Sequence, residues 1–480
     1  MKPSTQTPVS KPVPSAHPPD TLLPRRAFLR AGFCAALSSP LLISCQTKKE
    51  VPEPKAASPN GRLNHACIGV GGMGWGDLQN FLQHPKVEIA ALCDVDSVNL
   101  EKASKAAPRA RLYADWRELL QKESDIDSIS VSVPDHMHFA IAYSAILKGK
   151  HVYCQKPLCH DVAEVRALTE IAVRRSVVTQ LGTQVASSVH ERTAVRWLRE
   201  GRIGKITHAY LCSNRPGAVE AYRLKGPRPP GGSPAPPTLS WGLWLGTAPE
   251  RPYVPDIYHP TKWRAWQDFG TGWAGDIGCH IYDPVWKGLE LEAPSKVIAE
   301  VQESWQASPE RRADNWPQGD YIRWIFPGND RIEGRELVVE WFDGEYYPPV
   351  HIRKLVSPNV KEYPPECSLL IGTEGSLLIP HGYPPQLFPE TKFKDVRPPD
   401  LPQRNHYHHF VDACLGGEKT ESNFGQTGPM TEAILLGTVA IRVPGVDLSW
   451  DAPGMKVTNS REANRFLQRK YREGWHYSRF

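Results

Sequence analysis

A glycine-rich turn between two apolar segments constrains the fold of this chain more than any other feature. The apolar run Ala66–Ile68 leads into the turn Gly69–Gly74, and a helical pattern follows to Gln83. A second apolar run, Val87–Cys93, then ends at Asp94. This order of strand, glycine turn, helix, strand and acid is typical of a βαβ unit that binds a dinucleotide. A glycine-rich turn in another kind of α/β protein is the alternative.

The residues of this unit have separate physical roles. Gly69 permits the tight turn, Gly71 lets backbone N–H groups approach a pyrophosphate at the helix N-terminus, and Gly74 allows close packing of helix and strand. Asp94 can accept both ribose hydroxyls of NAD, and the residues after it include no arginine that would hold a 2′-phosphate. We therefore predict NAD as the cofactor. The predicted contacts in this unit are Gly69, Gly71, Gly72, Met73, Gly74 and Asp94.

Strand-like runs continue to alternate with helical patterns as far as residue 181. The further strands are predicted at Arg111–Tyr113, Ser128–Val133, His151–Cys154 and Val177–Leu181, and the further helices at Trp116–Gln121, Phe139–Leu147 and Asp161–Arg174. This alternation predicts a doubly wound parallel sheet. Because ligands bind at the carboxyl ends of such strands, Pro134–His138 and Gln155–Pro157 are expected beside the glycine turn.

The chain after residue 185 differs in its predicted secondary structure, with longer strands and fewer helices. A helix over Val189–Glu200 leads into it. Strands are predicted at Ile206–Asn214, Lys296–Glu303, Tyr321–Phe326, Leu337–Phe342, Ser368–Gly372 and Ser376–Pro380. Successive strands without intervening helices predict a large, open, mainly antiparallel sheet. We therefore expect an α/β protein with a Rossmann domain at 63–185 and a second domain at 186–480.

The N-terminal residues carry a pattern typical of export. Arg25 and Arg26 precede a short, modestly apolar run, which predicts a twin-arginine signal over residues 1–44. The run ends in Leu-Ile-Ser-Cys, which resembles a lipobox, so cleavage before Cys45 would leave a lipidated cysteine. Ordinary cleavage with Cys45 unmodified is the alternative. Residues 45–62 would then form a tether, and the protein would be a periplasmic lipoprotein anchored to the membrane.

Charge and cysteine usage exclude other classes. The chain has 57 basic and 52 acidic residues, but residues 1–44 contain five of the basic and one of the acidic residues. The remaining 52 and 51 leave no basic excess of the kind that binds nucleic acid. The cysteines show no C-x-x-C motif and no metal-ligand spacing, so we expect few or no disulfides and no metal. His406, His408 and His409 lack a matching carboxylate, which disfavours a metal site there.

The order of motifs along the chain resembles that of the Gfo/Idh/MocA oxidoreductases. After the glycine turn and Asp94 come Pro134-Asp135-His136-x-His138, then Gln155-Lys156-Pro157, then Asp276-Ile277-Gly278-Cys279-His280, and the resemblance runs from about residue 63 to 451. Lysine-proline after the fifth strand, combined with D-x-x-x-H in the second domain, is its specific part. The family pairs a Rossmann domain with an α/β domain whose open sheet carries the substrate site and often pairs with a second copy. The resemblance therefore implies a homo-oligomer that transfers a hydride between NAD and a sugar or polyol hydroxyl.

The resemblance also implies site residues. Lys156 should stabilise the alkoxide that develops on a substrate hydroxyl, although position 155, usually Glu in the family, is Gln here. His280 should act as the acid/base, and Asp276, one helical turn earlier, should orient its imidazole or bind a neighbouring hydroxyl. Pro134, His138, Gln155 and Lys156 are the further predicted cofactor contacts, and Trp263, Arg264, Lys156 and His280 are the predicted substrate contacts. A surface lysine before a turn proline, and a core histidine after a helix-start aspartate, are the alternatives.

Three functions remain open from the sequence. The leading hypothesis is an exported NAD-dependent oxidoreductase that acts on a sugar, polyol or glycoside. The second is an NAD-dependent glycoside hydrolase that works by transient oxidation and elimination, as one branch of this family with twin-arginine signals does. The third is a sugar-binding envelope protein with a relic cofactor site, against which the retained Lys156, Asp276 and His280 argue.

Overall fold

The computed structural model describes residues 61–215 and 228–476. The predicted signal, Cys45 and residues 46–60 of the predicted tether lie outside the described residues. Within the described ranges, no helix is both long enough and apolar enough to cross a membrane. The cysteines at 67, 93, 154, 159, 212, 279, 367 and 414 are buried and free.

The first sheet has the strand order β3-β2-β1-β4-β5-β6, with all neighbouring strands parallel. Its strands are β1 (Leu63–Ile68), β2 (Val87–Cys93), β3 (Arg111–Tyr113), β4 (Ser128–Val131), β5 (His151–Cys154) and β6 (Thr179–Leu181). Its helices are α1 (Gly72–Leu82), α2 (Ser97–Ala106), α3 (Trp116–Lys122), α4 (Asp135–Leu147) and α5 (Val162–Arg175). This is the Rossmann order, and the predicted doubly wound parallel sheet is confirmed.

Local chemistry explains where the helices of this sheet begin. Asp96, Asp115 and Asp161 immediately precede α2, α3 and α5, and each carboxylate accepts a backbone N–H of its helix. Such caps satisfy N–H groups that have no partner inside the helix. α1 differs, because Gly71 precedes it and supplies no side chain.

Two neighbouring boundaries predicted at the carboxyl edge of this sheet were wrong. β4 ends at Val131 rather than Val133, and α4 begins at Asp135 rather than Phe139. Pro134 ends the strand because proline has no N–H to donate to the ladder, and Asp135 in the first helical turn interacts favourably with the helix dipole. The motif that follows β4 therefore lies on the first turn of a helix.

The second sheet is mixed and mainly antiparallel, as predicted. Its order is β13-β12-β11-β7-β10-β9-β8-β14-β15; β7 and β10 pair parallel and the other neighbours in the described chain pair antiparallel. The strands are β7 (Ile206–Ser213), β8 (Lys296–Val301), β9 (Asp320–Pro327), β10 (Glu336–Asp343), β11 (Glu366–Gly372), β12 (Ser376–Pro380), β13 (Gln386–Phe388), β14 (Leu448–Asp451) and β15 (Lys456–Val457).

Helices surround this second sheet and connect it to the first. They are α6 (Val189–Arg199), α7 (Trp241–Leu245), α8 (Gly272–Leu289), α9 (Glu303–Gln306), α10 (Pro309–Asp314), α11 (Val350–Arg353), α12 (Glu390–Phe393), α13 (His406–Cys414) and α14 (Phe424–Arg442). Short 3₁₀ turns lie at Gln184–Ser187, Lys262–Ala265, Val360–Glu362 and Ala463–Phe466. α14 packs on both α5 and α8, so it joins the two halves of the molecule.

A late segment of the chain completes the core of the first sheet. Tyr407, Phe410, Val411 and Cys414 of α13 belong to one hydrophobic cluster with residues of β1, β2 and α1. The rings of Phe81 and Tyr407 meet edge to face with their centroids 5.4 Å apart. Residues assigned from sequence to the second domain thus pack into the Rossmann core.

Candidate active site

A cavity of about 680 Å³ lies along the carboxyl edge of the parallel sheet and is walled by both halves of the molecule. It brings together most of the residues predicted from sequence. Those lining it are Gly69, Gly71, Gly72, Met73, Asp94, Pro134, Gln155, Lys156, Trp263, Arg264 and His280. Gly74, His138 and Asp276 do not line it.

The glycine turn forms one end of this cavity and fits a dinucleotide. Gly69 has φ +80°, and a Cβ there would overlap the carbonyl oxygen of Ser132. A Cβ at Gly74 would overlap the carbonyl oxygen of Gly69, so Gly74 serves the packing of α1 on the turn. The first turn of α1 has no side-chain cap and no acidic residue. Its N–H groups and its positive dipole end are therefore open to an anion such as a pyrophosphate.

Asp94 is held at the cavity wall by the main chain. Its Oδ2 accepts the N–H of Val70 at 2.8 Å, and its Oδ1 accepts the N–H of Asp96 at 2.9 Å. Burial raises the pKa of this carboxyl, and these two hydrogen bonds oppose the rise. The Asn99 side chain also bonds this carboxylate, and because a carboxylate accepts about four hydrogen bonds, Asp94 keeps capacity for a ribose hydroxyl. Turn, open helix end and placed carboxylate together fit NAD.

Lys156 and Asp276 form an ion pair across the two halves of the molecule. The Lys156 Nζ donates to Asp276 Oδ1 at 2.6 Å and to the Asp276 main-chain oxygen at 2.9 Å. The Nε of Arg264 lies 3.4 Å from Asp276 Oδ2. Both carboxylate oxygens of Asp276 are therefore engaged by cations, which the sequence did not predict. Asp276 fixes the position of the Lys156 ammonium at the cavity wall.

His280 lies one turn after Asp276 on α8 and lines the cavity. Burial, followed by the nearby Lys156 charge, holds its pKa well below the usual value of 6.5. The imidazole is therefore neutral near pH 7 and able to accept a proton. Its ring lies 5.0 Å from that of His381, centroid to centroid.

A separate small void touches the other side of His280. It has a volume of about 10 Å³ and is lined by His280, Glu191 and His381, among others. His280 Nδ1 and Glu191 Oε1 are both buried, and neither has a hydrogen-bond partner in the described part of the chain. A space of this size holds about one water molecule. The void is thus suited to one water between Glu191 and His280.

Two buried carboxyls near the site are not among the contacts predicted individually from the sequence, although Asp135 lies in the segment Pro134–His138 that was expected beside the glycine turn. Asp135 lines the cavity and accepts the Thr271 hydroxyl at 3.0 Å. Burial, and then the charge of Asp276, raises the pKa of Asp135. Its place directly after Pro134, at the end of a strand, is the sequence signal that could have identified it.

Asp77 is the second, and it lies on α1 behind the cofactor turn. Its carboxylate accepts the Gln155 amide at 2.9 and 3.0 Å, the Ser132 hydroxyl at 2.7 Å and the Tyr407 hydroxyl at 2.8 Å. Burial raises its pKa, and the three bonding side chains oppose that rise. The side chain at position 155, an amide here, therefore has a carboxylate as its hydrogen-bond partner. A sequence reading gave no signal for this contact.

His138 was predicted to contact the cofactor, but in the structure it does not line the cavity. Its Nδ1 lies 2.7 Å from the carbonyl oxygen of Pro157, and its Nε2 lies 2.8 Å from that of Val133. Each ring nitrogen faces a carbonyl oxygen, to one of which the neutral imidazole donates its N–H, and the side chain is buried and does not line the cavity. His138 instead ties the Lys156–Pro157 turn, whose peptide bond is cis, to the loop after β4.

Aromatic side chains from the second region cover the cavity. Trp244 and Trp263 line it, and the Trp241 and Trp244 rings stack with centroids 4.8 Å apart. The Arg264 guanidinium carbon lies 4.2 Å from the centre of the Trp263 ring, which orients this predicted substrate residue.

Of the three histidines near residue 406, His406 has a structural partner at each ring nitrogen. His406 Nδ1 lies 2.7 Å from the Ser187 hydroxyl, and His406 Nε2 lies 2.9 Å from the Leu181 carbonyl oxygen. Across residues 61–215 and 228–476, no group of three or more His, Cys, Asp or Glu side chains is arranged to hold a metal ion.

Comparison with known families decides what this arrangement belongs to. Residues 63–183 match the family described as "Oxidoreductase family, NAD-binding Rossmann fold". Residues 225–348 match the family described as "Oxidoreductase family, C-terminal alpha/beta domain". Together they cover more than half of the chain. The chain belongs to the Gfo/Idh/MocA oxidoreductase family. The expected family, the two-part fold and the NAD-binding character of the first domain are thereby confirmed.

Individual relatives match over a shorter part. A glycosyl hydrolase family 109 protein of Solibacter usitatus is 32% identical over 40% of this chain and 45% of its own length. A levoglucosan dehydrogenase of Pseudarthrobacter phenanthrenivorans is 29% identical over 39% of this chain and 40% of its own length. The chain thus spans less than half the length of these relatives.

The same fold is found in solved structures. The WlbA dehydrogenase of Bordetella pertussis, in complex with NADH and UDP-GlcNAcA, superimposes with a TM-score of 0.56 and 14% identity. The match covers 81% of this chain and 99% of that one. A likeness at this identity shows the shared fold.

Proposed function

We propose that this protein is an NAD-dependent oxidoreductase that acts on a hydroxyl group of a sugar, polyol or glycoside. The observation that carries the proposal is the placement of Lys156 and His280 on one cavity with the glycine turn. A cation and a neutral base from different domains thus meet at the end of a cleft that fits a dinucleotide. Membership in an oxidoreductase family supports an enzyme over a sugar-binding protein.

The residues of the cavity divide the chemistry of alcohol oxidation between them. When bound, NAD supplies the acceptor for the hydride of a substrate C–H bond. His280, held neutral by burial and by the Lys156 charge, takes the proton of the substrate hydroxyl. Lys156, positioned by Asp276, stabilises the negative charge that develops on the substrate oxygen. Trp263 and Trp244 exclude water and offer apolar faces to sugar C–H groups.

A second candidate is glycoside hydrolysis through transient oxidation. The family 109 glycosyl hydrolase relatives favour it. The same Lys156 and His280 would serve, since the first step is the oxidation of a glycoside hydroxyl. Net NADH formation separates the two candidates, because transient oxidation returns the cofactor to its starting state.

We also propose that the protein works outside the cytoplasm. The twin arginines and Cys45 support export as a folded lipoprotein, and the open second sheet supports a homo-oligomer. Because free NAD is scarce outside the cytoplasm, we expect the cofactor to be retained through export. Mass spectrometry of the denatured, purified protein should therefore detect bound NAD.

The activity test uses Lys156→Ala and His280→Ala with a panel of glucosides, galactosides and inositols. Absorbance of reduced nicotinamide reports oxidation, and released aglycone reports hydrolysis. Each variant should lose about two to three orders of magnitude in rate while still binding NAD. Lys105→Ala and His351→Ala, at exposed positions outside the cavity, are matched controls. Near-parental rates for both site variants would mean that the chemistry lies elsewhere. Cleavage without net NADH would support the second candidate.

A further inference from the structure

A second cavity, of about 140 Å³, lies where the end of α14 and the C-terminal segment meet the start of α5. It shares none of its lining residues with the cofactor cavity. Arginines are prominent in its wall, and Arg465 and Gln468 at its rim are exposed. The proposed oxidoreductase chemistry makes no use of it.

Arg442 is the most informative residue of this wall. Its guanidinium carbon lies 4.8 Å from the centre of the Trp316 ring and 5.0 Å from that of Phe466. Its Nε is buried and has no hydrogen-bond partner, and no carboxylate of the described residues lies within 4.0 Å of it. Burial lowers its pKa to about 10. A desolvated arginine without an ion pair is costly, so a bound anion would supply the missing compensation.

His160 lines the same cavity, and like Arg442 it has buried nitrogen atoms without a hydrogen-bond partner among the described residues. The residue is 7% exposed, and neither ring nitrogen has a hydrogen-bond partner in the described part of the chain. Burial, and then the charges of Arg469 and Arg442, holds its pKa well below the usual value. A neutral imidazole can donate one N–H to an anion.

The two acidic residues of the wall, Asp161 and Asp268, both lie near arginines. Asp161 lies 3.6 Å from Arg469, which also bonds Glu164 at 2.8 Å. Asp268 pairs with Arg251 and lies 3.7 Å from Arg228. The charges of Asp268 and Asp161 also act on Arg442, but the wall holds three arginines, Arg442, Arg465 and Arg469, against these two aspartates, so its own residues carry a net positive charge.

We propose that this cavity binds a phosphate or sulfate group, held by Arg442, His160 and Arg465. Guanidinium groups suit such oxyanions because their N–H donors match the oxygen geometry. The volume exceeds the space of one water about tenfold, so a tetrahedral oxyanion fits with room for a substituent. The ligand is a free oxyanion or the same group carried on a larger molecule.

Occupancy would stabilise the C-terminal segment. Phe466 and Arg469 belong both to the cavity wall and to the stretch that packs on the Rossmann domain. Arg469 donates to the carbonyl oxygen of His136 at 2.5 Å, and Leu467 accepts the N–H of Ala163 at 3.0 Å. Because a ligand that binds the folded state raises its stability by mass action, binding should raise the melting temperature.

The test is a titration of the purified full-length protein with inorganic phosphate, sulfate and glucose 6-phosphate, followed by calorimetry and thermal unfolding. Sodium chloride at equal ionic strength is the reference. We expect saturable binding and a rise in Tm, with affinity reduced about tenfold or more in Arg442→Gln. Arg465→Gln, at an exposed position, should weaken binding without affecting the fold. Arg109→Gln, on an exposed arginine outside the cavity, is the matched control.

Tighter binding of glucose 6-phosphate than of phosphate would identify a phosphoryl group on a larger molecule as the ligand, and equal binding would identify the free oxyanion. The proposal is overturned if the three anions do no more than chloride. It is also overturned if Arg442→Gln and Arg465→Gln bind them as the parent does.

Discussion

Replacing Asp276 with asparagine tests whether this residue acts by positioning Lys156. The change keeps the shape of the side chain and removes the charge that faces the Lys156 ammonium at 2.6 Å. The bond from Lys156 to the main-chain oxygen of residue 276, at 2.9 Å, does not depend on the side chain. Lys156 should therefore stay near its place, but its side-chain partner becomes a neutral amide oxygen, which accepts a weaker hydrogen bond than a carboxylate oxygen does.

The size of the effect follows from that geometry. A hydrogen bond to a charged group contributes about 1.5–3 kcal/mol. Because asparagine keeps an acceptor, this figure is the upper limit of the loss, and kcat/KM should fall more than about threefold and at most about 150-fold. The fall should appear mainly in kcat, since the cofactor turn is untouched. Asp276→Glu should recover part of the loss because it restores the charge.

Steady-state kinetics with a substrate from the sugar panel, together with NAD titration and thermal unfolding, measures these effects. Glu432→Gln is the matched control, because it breaks a buried ion pair with Arg166, at 2.6 Å, outside the cofactor cavity. That variant should lose stability and keep its kcat/KM. The reasoning is refuted if Asp276→Asn changes kcat/KM less than about threefold while Lys156→Ala abolishes turnover, or if its whole loss is explained by weaker NAD binding.

Three further predictions follow from the buried carboxyl groups. Glu191→Gln should lower kcat and alter its pH profile without changing NAD affinity, because Glu191 and His280 line the same water-sized void; an unchanged pH profile would contradict this. Burial raises the pKa of both Asp320 and Asp343, that of Asp343 to about 7, and the charge of Asp343 raises the pKa of Asp320 further. The folded protein therefore binds more protons than the unfolded chain, in which aspartate titrates near pH 4, and stability is lost as the pH rises from about 4 to about 7. Asp320→Asn should reduce the difference in Tm between pH 5 and pH 8, and an equal or larger difference would oppose the argument. Fluorescence titration should show that the parent protein binds NAD more tightly than NADP. In Asp94→Ser, the ratio of the two affinities should fall about tenfold or more. Tighter binding of NADP by the parent protein would contradict the proposed role of Asp94.

The features that were predicted correctly from the sequence are formed by residues that lie close together in the chain. The glycine turn, β2 and Asp94 lie within about thirty residues, and local steric and hydrogen-bonding rules fix their arrangement. The start of α4 was misplaced because apolar periodicity begins only at Phe139, whereas the helix is initiated by Pro134 and Asp135. Periodicity does not report the polar first turn of a helix.

Contacts between distant segments could not be predicted from the sequence. The Lys156–Asp276 pair joins residues 120 positions apart, and the contact of Asp77 with Tyr407 spans 330 positions. The family resemblance supplied both partners of the first contact, and it supplied neither partner of the second. The substitution at position 155 looked like the loss of a carboxylate, and only the fold shows Asp77 bonded to that amide.

The packing of α13 into the Rossmann core bears on the order of folding during synthesis. Tyr407, Phe410 and Val411 fill the same cluster as β1 and α1, yet they leave the ribosome more than 300 residues later. Most domains can fold from the N-terminus as the chain emerges, but here the first sheet keeps an exposed apolar surface until the chain is almost complete. The cofactor-binding half therefore reaches its final packing only after synthesis of the other half. A truncation before residue 406 would leave that half without part of its core.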